Sequence, residues 1–324
     1  MPKRRKRGMS VIVFILLSLI VLVGSALFTA YSYLKEKYAG SAVAYSREAI
    51  RNLEPGSFEE KVAKSFYTEE EWNDILSNSI KIDPTIDNPA IDEDGIEIQH
   101  ISGPTYEGYM MLVHNPEDVY VAVNPNMDNG QQAPSLEDYV RMNNAIGGIN
   151  AGGFQDAGGH GNGGLAWGIV IHEGQLISGR MNEYLPVIGI DSENKLICTD
   201  MTAQQALEWG IKEAVTFGPT LISDYQVKFK DGDGDYPMLN PRTGIGQRGD
   251  GTFLLLAIDG RGPSSYGALY QDMVKIFQQY DAYMAANLDG GNSTAMIYKG
   301  DYVNTTVSMY GSRHLPTVFL VRGN

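Results

Sequence analysis

The sequence predicts an α+β fold: a mixed, mostly antiparallel central sheet with a few packed helices, preceded by an N-terminal transmembrane helix and a helical stalk. Three observations lead to this prediction. Residues 8–33 carry no charge, apolar residues recur at helical spacing over much of residues 41–81, and short β-like runs outnumber helical segments from Ile96 onward. Strands interrupted by only a few helices favour an α+β fold over a regular βαβ alternation.

Residues 1–34 predict a cytoplasmic basic tip and a membrane anchor. The basic run from Lys3 to Arg7 precedes an apolar core of about 20 residues, the length needed to cross a bilayer. Basic residues stay on the cytoplasmic side, so we expect a single-pass protein whose C-terminal domain is extracellular. A cleaved signal peptide is the alternative, but its apolar core is usually shorter, which favours an uncleaved anchor.

Residues 35–91 predict a helical stalk and a linker. Helical spacing recurs in SAVAYSREAIRNLE and EEEWNDILSNSIK, and Pro55 and Gly56 separate the two segments. The following segment, KIDPTIDNPAIDEDG, is rich in proline and acids, as linkers are. The predicted folded domain therefore covers residues 92–324.

Charge and cysteine content restrict the classes of partner and the means of stabilisation. The chain has a net charge of −14, and the five basic residues of the N-terminal tip leave −19 for the remainder. Such a balance argues against nucleic acid as a partner. Cys198 is the single cysteine, so an intramolecular disulfide is excluded and the domain must be stabilised by its core.

From Ile96 onward each segment carries its own local signal. The capping pattern SLED at Ser135 predicts a helix to about Asn144. Hairpins are predicted to turn at Glu173–Gly174 and near Asn194, with a short helix in TAQQALEWG, a helix in GALYQDMVKIFQQYDA and a closing hairpin in STAMIYKGDYVNTT. Further strands are predicted in IEIQHIS, GYMMLVHN, VYVAVNP, AVTFGPTLI, TGIGQRG, TFLLLAIDG and AYMAANLD.

The two most apolar strands both end in Asp-Gly, at Asp259 and Asp289. If these strands are neighbours, the two carboxylates meet at one edge of the sheet, where the strand ends are held rigidly and ligands bind. The dipeptide alone is also the commonest signal of a turn.

Three other stretches place small polar residues beside an apolar strand. Asn150 and Gly152 lie in GGINAGGF, where glycines let a ligand approach the backbone. Gly218 precedes a strand in TFGPTLI. Arg242 begins a strand in NPRTGIGQRG, where its planar fork can hold a phosphate or a carboxylate through two hydrogen bonds.

The order and spacing of these motifs resemble the phosphodiester glycosidase family over roughly residues 96–323. The motifs that carry the resemblance are NAGGF at 150–154, TFGPTLI at 216–222, PRTGIG at 241–246, AIDGR at 257–261, NLDGGNST at 287–294 and SRHLPT at 312–317. The resemblance implies hydrolysis of a sugar-1-phosphodiester at the anomeric C–O bond. It also implies a substrate that carries a glycosyl phosphate, which we expect to be linked to a polymer.

The implied chemistry assigns expected roles to individual residues. Asp289 is expected to act as the nucleophile or as the base that activates water, since the oxocarbenium-like transition state needs a negative charge. Asp259 is the second carboxylate, as acid, base or anchor. The phosphate is expected to contact Arg242 and Arg313, with Arg261 either assisting or forming a surface ion pair. Hydrogen bonds to sugar and phosphate oxygens are expected from Asn150, Asn292, Ser293 and Thr294.

Two rival functions and two loops complete the predictions. A noncatalytic module would bind surface glycans without turnover, and a metal-dependent phosphodiesterase would cut P–O and lose activity with a chelator. No cofactor and no metal ligand is predicted, although the acidic run Asp231–Tyr236 leaves weak structural calcium binding as an alternative to a solvated loop. The glycine-rich residues 156–164 are a candidate lid, in which His160 is a candidate substrate contact.

Overall fold

The computed structural model describes residues 5–77, 80–83, 93–156, 161–229 and 238–323. The chain divides into two compact units, Met1–Asn78 and Ser79–Asn324. The predicted calcium loop Asp231–Tyr236 and the predicted substrate contact His160 lie outside the described residues.

The first unit is helical. Its helices are α1 (Arg5–Ala39), α2 (Val43–Arg51), α3 (Phe58–Lys64) and α4 (Glu69–Leu76). The segment Val11–Ala39 of α1, which contains a window of 18 residues with a mean hydropathy of 3.0, is long and apolar enough to cross a membrane. The end of α1 and the short helices share a small core of Tyr38, Ile50, Ala63, Trp72 and Ile75.

Helix α3 was not predicted, because Pro55 and Gly56 indicated a break without a following helix. Ser57 supplies the start signal, since its hydroxyl accepts a hydrogen bond of 3.1 Å from the backbone N–H of Glu60. This contact satisfies one of the free donors of the first helical turn.

The second unit is built from strands. In chain order they are β1 (Lys81–Asp83), β2 (Ile96–Ser102), β3 (Glu107–Val113), β4 (Val119–Val123), β5 (Ala145–Asn150), β6 (Val170–His172), β7 (Gln175–Ser178), β8 (Tyr184–Asp191), β9 (Leu196–Thr202), β10 (Ile211–Thr216), β11 (Thr220–Ser223), β12 (Gln226–Val227), β13 (Arg242–Arg248), β14 (Phe253–Ile258), β15 (Ala282–Asn287), β16 (Met296–Tyr298), β17 (Asp301–Tyr302) and β18 (Thr317–Arg322). Three helices accompany them: α5 (Leu136–Met142), α6 (Ala203–Glu208) and α7 (Tyr270–Gln279).

These strands form three sheets. The large sheet has the order β1-β2-β3-β14-β13-β15-β11-β12, and the two smaller sheets have the orders β7-β6-β10-β8-β9 and β17-β16-β5-β18-β4. All strand pairs among the described residues are antiparallel. The α+β prediction is therefore confirmed, and the pairing is antiparallel throughout these residues rather than mixed.

One core joins the three sheets, and a helix covers the far side of each. The shared core contains Leu255 of the large sheet, Ile188 of the second sheet and Ile149 of the third. Helix α7 packs on the opposite face of the large sheet, α6 on the second sheet and α5 on the third. The wholly apolar run FLLLAI is thus covered on both faces, as its composition predicts.

The order of strands in the large sheet sets the position of the two Asp-Gly dipeptides. Strand β13 pairs with β14 on one side and with β15 on the other. Asp259 and Asp289 follow these flanking strands at the same end of the sheet, next to the start of β13 at Arg242. Neighbouring strands are about 4.8 Å apart, so the two backbones are separated by about 10 Å at this edge.

The segment predicted as a linker begins with a strand. Lys81–Asp83 pairs with His100–Ser102 at the edge of the large sheet, so β1 belongs to the second unit. The remainder of the predicted linker, residues 84–92, lies outside the described residues.

Candidate active site

A cavity of about 140 Å³ opens beside the carboxylate of Asp289. Its walls come from the segments that follow β5, β10 and β15 and from the segment that precedes β6. The lining residues are Gly153, Phe154, Asp156, Trp167, Phe217 and Asp289.

Backbone and side-chain hydrogen bonds fix the position of Asp289. Its N–H donates to the carbonyl of Ala151 at 3.0 Å, and its own carbonyl accepts from Nδ2 of Asn150 at 2.6 Å. Both partners lie at the end of β5, in another sheet. The Asp289 carboxylate is therefore held at the junction of two sheets.

The surroundings of Asp289 favour its protonated form more than water does. Burial raises the pKa of Asp289 to about 6, although the Ser293 hydroxyl, the Arg313 guanidinium and the Gly290 N–H lower this pKa and Asp156 raises it. A carboxylate with a strongly shifted pKa in a cleft is typical of catalytic groups. Near neutral pH this group is largely ionised and therefore able to act as a nucleophile or a base.

Arg313 contacts two residues of the cavity lining, Asp156 and Phe154, and its positive charge acts on Asp289. Its guanidinium forms two parallel hydrogen bonds with the carboxylate of Asp156, at 2.6 and 2.8 Å, and a third with the carbonyl of Gly161 at 3.1 Å. The ring of Phe154 supports the guanidinium at 4.8 Å. Because Asp156 occupies the planar fork, an anionic ligand that binds Arg313 bidentately must displace that carboxylate.

Asn150 and Thr294 are buried and bond to the protein itself. Oδ1 of Asn150 accepts from the hydroxyl of Thr243 at 2.8 Å and from the N–H of Ala295 at 3.1 Å. The hydroxyl of Thr294 lies 3.2 Å from that of Thr243. These groups position the Asp289 loop, and direct contact of Asn150 or Thr294 with a sugar remains a prediction.

Asp259 lies at the same end of the sheet but does not line the cavity. Its Oδ1 accepts from Nδ2 of Asn304 at 3.1 Å and from the N–H of Thr305 at 2.9 Å. Burial raises the pKa of Asp259 to about 6, and Asn304 and Thr305 lower it. Asp259 and Asp289 thus lie at the same end of the sheet with β13 between their strands, and the Asp259 carboxylate binds the loop that follows β17. A role for Asp259 in the same site as Asp289 remains a prediction.

The guanidinium of Arg242 is buried away from the cavity lining. Nε donates to the carbonyl of Ala268 and Nη2 to that of Met238, each at 3.0 Å, and the guanidinium lies 4.1 Å from the ring centroid of Tyr270. Tyr270 packs with the α7 face of the large sheet. A phosphate-binding role for Arg242 remains a prediction.

Arg261 and Asn292 form a pair on the surface. The guanidinium of Arg261 donates to Oδ1 of Asn292 and, at 3.1 Å, to Oδ1 of Asn240. Arg261 thus forms hydrogen bonds to two asparagines, and through Asn292 it connects the Asp259 loop with the Asp289 loop.

The two predicted site glycines differ in how closely other residues pack against them. A Cβ at Gly152 would lie 3.0 Å from Cβ of Val215 and 3.1 Å from the hydroxyl oxygen of Thr317. The carbonyl of Gly218 accepts from Nδ2 of Asn287 at 2.8 Å. Close packing therefore favours glycine at position 152, whereas a Cβ at position 218 would come no closer than 3.7 Å to another residue, the Cβ of Pro186.

Sequence reasoning did not assign site roles to Asp156, Trp167 or Phe217. Phe217 lies inside TFGPTLI, so attention to every residue of that motif would have found it. Asp156 lies two residues beyond NAGGF, at the start of the candidate lid, and no motif marks it individually. Trp167 lies in the short segment AWG, outside the quoted motifs. Its place depends on a backbone hydrogen bond of 2.8 Å to the carbonyl of Gly153.

Similar proteins were found at the level of sequence and of fold. The profile of the phosphodiester glycosidase family matches residues 143–322. A stretch of 107 residues is 31% identical to the SPbeta prophage-derived uncharacterized protein YomE of Bacillus subtilis, and it covers 32% of this chain and 17% of that protein. The chain thus spans less than a fifth of the length of this relative.

Two solved structures share the fold at low sequence identity. The zebrafish N-acetylglucosamine-1-phosphodiester α-N-acetylglucosaminidase catalytic domain, auto-inhibited by its pro-peptide, is similar with a TM-score of 0.57 and 17% identity, over 76% of this chain and 89% of that one. A Burkholderia pseudomallei protein that is named as an exported protein gives a TM-score of 0.51 and 16% identity, over 67% and 74% of the two chains. Since the family profile covers more than half of the sequence, including the segments that carry Asp289 and Arg313, the chain belongs to the phosphodiester glycosidase family.

Proposed function

We propose that this protein is an exported, membrane-anchored hydrolase that cleaves the anomeric C–O bond of a sugar-1-phosphodiester in a cell-surface polysaccharide or glycan. The observation that carries the proposal is the placement of the Asp289 carboxylate in a small cavity, with the Arg313 guanidinium nearby. A negative group stabilises a developing oxocarbenium ion, and a positive group stabilises a departing phosphate.

In the proposed reaction, Asp289 stabilises the positive charge that develops on the sugar, and Arg313 stabilises the negative charge of the leaving phosphate. The Asp289 carboxylate attacks the anomeric carbon, or removes a proton from the water that attacks it. The electron pair of the C–O bond leaves with the phosphate oxygen, and Arg313 neutralises the resulting anion. Water supplies the hydroxyl group of the free sugar, and the other product is a phosphomonoester. A phosphate leaves as a stable anion, so this cleavage depends less on a strong general acid than ordinary glycoside hydrolysis does.

Asp259 supports this site from outside the cavity. Its hydrogen bonds to Asn304 and Thr305 favour the anchor among the roles open to it. Asp259 is then a positioning residue for the loop between β17 and β18, which leads to Arg313.

The proposed location rests on helix α1. The segment Val11–Ala39 has the length and apolar character of a membrane span and follows a basic tip. Protease added to intact cells should degrade the second unit and leave a cytoplasmic control protein intact. Full protection of the second unit in intact cells, with digestion after lysis, would contradict the extracellular placement.

The activity is tested with the full-length chain in detergent, on UDP-GlcNAc and a panel of sugar-1-phosphodiesters in ¹⁸O-labelled water. We expect the label in the released sugar, and a loss of turnover of about 10²- to 10⁴-fold in Asp289→Asn. Asp200→Asn, at an exposed position of β9, is the matched control and should retain wild-type turnover.

Two outcomes overturn the proposed function. Label in the phosphate, together with inhibition by a chelator, would identify a metal-dependent phosphodiesterase. Saturable binding of glycans without turnover of any member of the panel would identify a noncatalytic binding module.

A further inference from the structure

Three neighbouring strands of the second sheet each have an aromatic residue at or near the end that lies beside the cavity. In the order β6-β10-β8, Trp167 precedes β6, Phe217 follows β10 and Tyr184 begins β8. Strand β10 is antiparallel to both neighbours, so β6 and β8 start at the same end of the sheet at which β10 ends. With about 4.8 Å between strands, the backbones at Trp167 and Tyr184 are about 10 Å apart, with Phe217 between them.

The register of β8 and β10 places two of these rings on one face of the sheet. Val187 pairs with Thr216 at the end of β10, and the same register extended by one residue brings Pro186 opposite Phe217. Side chains alternate between faces along a strand, and paired residues share a face. Tyr184, two residues before Pro186, therefore lies on the same face as Phe217, about 7 Å further along the strand.

The array continues from the cavity to the open surface. Phe217 and Trp167 line the cavity beside Asp289, and Phe217 is half-buried. Trp167 is 50% exposed and Tyr184 is 63% exposed. A single exposed aromatic residue is ordinary, but a contiguous set that adjoins a cleft indicates a binding surface.

These aromatic side chains are better suited to bind a sugar ring than to bind a second charged group of the ligand. A pyranose ring presents flat patches of C–H groups with hydroxyl groups at its rim, so it stacks on an aromatic face while its hydroxyl groups remain in water. The Tyr184 hydroxyl group and the Trp167 indole N–H add hydrogen-bonding capacity at the edges of the rings. The phosphate and the anomeric carbon are assigned to the cavity. The row of aromatic residues that continues outward from the cavity is therefore positioned to contact the next ring of the substrate.

We propose that Trp167, Phe217 and Tyr184 form a subsite for a second pyranose ring, which makes the protein selective for oligosaccharide or polymer phosphodiesters over esters of a single sugar. The proposal rests on the proposed function for the position of the first ring. It assigns Tyr184, outside the cavity, as a determinant of substrate length.

The test measures binding rather than turnover, with full-length protein in detergent. The probes are non-hydrolysable sugar-1-phosphonates that contain one, two or three pyranose rings, based on glucose, galactose and N-acetylglucosamine. Binding is followed by intrinsic fluorescence, since Trp167 is one of only three tryptophans and Trp72 is buried. Trp167→Phe should remove the signal change, whereas Trp209→Phe should retain it.

We expect the second ring to tighten binding by at least about tenfold. Tyr184→Ala should abolish that gain, and Tyr184→Phe should retain most of it. Trp209→Ala is the matched control, since Trp209 is 60% exposed and precedes β10 at the end opposite to Phe217.

Three outcomes overturn the subsite: equal affinity for one and two rings, equal effects of Tyr184→Ala and Trp209→Ala, or no binding of any probe at millimolar concentration. Because the phosphonates are not hydrolysed, a gain from the second ring is detected even where the labelled-water experiment excludes C–O cleavage. Failure of the subsite and failure of the proposed reaction are thus separate results.

Discussion

Asp289 combines a position fixed by hydrogen bonds with an unfavourable setting for charge. The Ser293 hydroxyl and the Gly290 N–H stabilise the carboxylate, as does Arg313, yet burial outweighs them and the pKa of Asp289 rises to about 6. The fold thus keeps a carboxylate where its ionised form costs folding free energy. Such residues are typical of functional sites, where stability is lower than the fold could reach.

The pKa of Asp289 leads to a prediction for the rate. If ionised Asp289 is the nucleophile or base, kcat/KM should rise as the pH rises through about 6. A pH–rate profile between about pH 4.5 and 8.5 measures this limb. Asp259 also has a pKa of about 6, so Asp259→Asn is the necessary control. Loss of the limb in that variant would assign it to Asp259 instead.

The same shift predicts how stability depends on pH. The folded-state pKa of Asp289 lies above the value of about 3.9 for an unfolded chain, so ionisation destabilises the folded state as the pH rises through about 6. The rise from about 3.9 to about 6 corresponds to at most about 3 kcal/mol in the free energy of unfolding, so Asp289→Asn should raise Tm at pH 7.5 by up to about 6–12 °C. Near pH 3.5 the difference should vanish, because the wild-type carboxyl group is then protonated in both states.

Differential scanning fluorimetry across this pH range measures the effect. The exposed Asp200→Asn variant should follow the wild-type curve at each pH. A Tm for Asp289→Asn that is lower than wild type at pH 7.5 would contradict the prediction.

At the scale of elements, local signals in the sequence identified many of the strands and helices. The SLED pattern predicted α5, where Ser135 and Asp138 form a capping box. The Glu173–Gly174 turn predicted the β6–β7 hairpin. Such signals depend on neighbouring residues, so they are legible without knowledge of the fold.

Long-range pairings were not legible in the same way. The apolar runs of β14 and β15 predicted buried strands, but nothing in them indicates that β13 lies between the two. Asp259 and Asp289 lie at one end of the large sheet, as the sequence predicts. The hydrogen bonds from Asn304 and Thr305 to the Asp259 carboxylate could not be predicted, because they join segments that are far apart in the sequence. The cavity partners Asp156 and Trp167 depend on loop contacts of the same kind.

The loop between β17 and β18 gives a prediction for Asp259 as an anchor. Asp259→Ala removes the acceptor for the Thr305 N–H, so amide exchange at residues 304–311 should accelerate by about tenfold or more. Hydrogen exchange followed by mass spectrometry measures this, with Asp200→Ala as the control. Unchanged protection of that loop in Asp259→Ala would exclude the anchor role.

The junction at Asn150 gives a prediction for stability. Asn150→Ala leaves the Thr243 hydroxyl and the Ala295 N–H buried without the Oδ1 acceptor, which should lower the free energy of unfolding by about 2–4 kcal/mol. Urea denaturation measures the change. Asn143→Ala, which removes a partly buried hydrogen bond of 2.8 Å from an exposed residue at the end of α5, should cost about 1 kcal/mol or less. Equal losses in the two variants would contradict the assigned network.

At the scale of the whole molecule, the negative net charge of the protein repels the anionic substrate that we propose. The chain beyond the basic tip carries −19, so an anionic phosphodiester approaches an unfavourable field. Raising the ionic strength from about 20 to about 200 mM should lower KM, because distant charges are screened more strongly than the partly buried Arg313. Steady-state kinetics with a neutral salt test this, and a KM that increases with salt would contradict it.

The Asn150–Asp289 hydrogen bond also has a consequence for when the protein becomes competent. Asn150 ends a strand of the third sheet, and Asp289, 139 residues further along the chain, follows a strand of the large sheet. Trp167 and Phe217 in the cavity wall flank strands of the second sheet. No single hairpin, and no pair of sheets, contains the complete constellation. Under the proposed function, competence is therefore a late event of folding that follows the docking of all three sheets, and a chain that is still being exported has every residue of the site without yet being active.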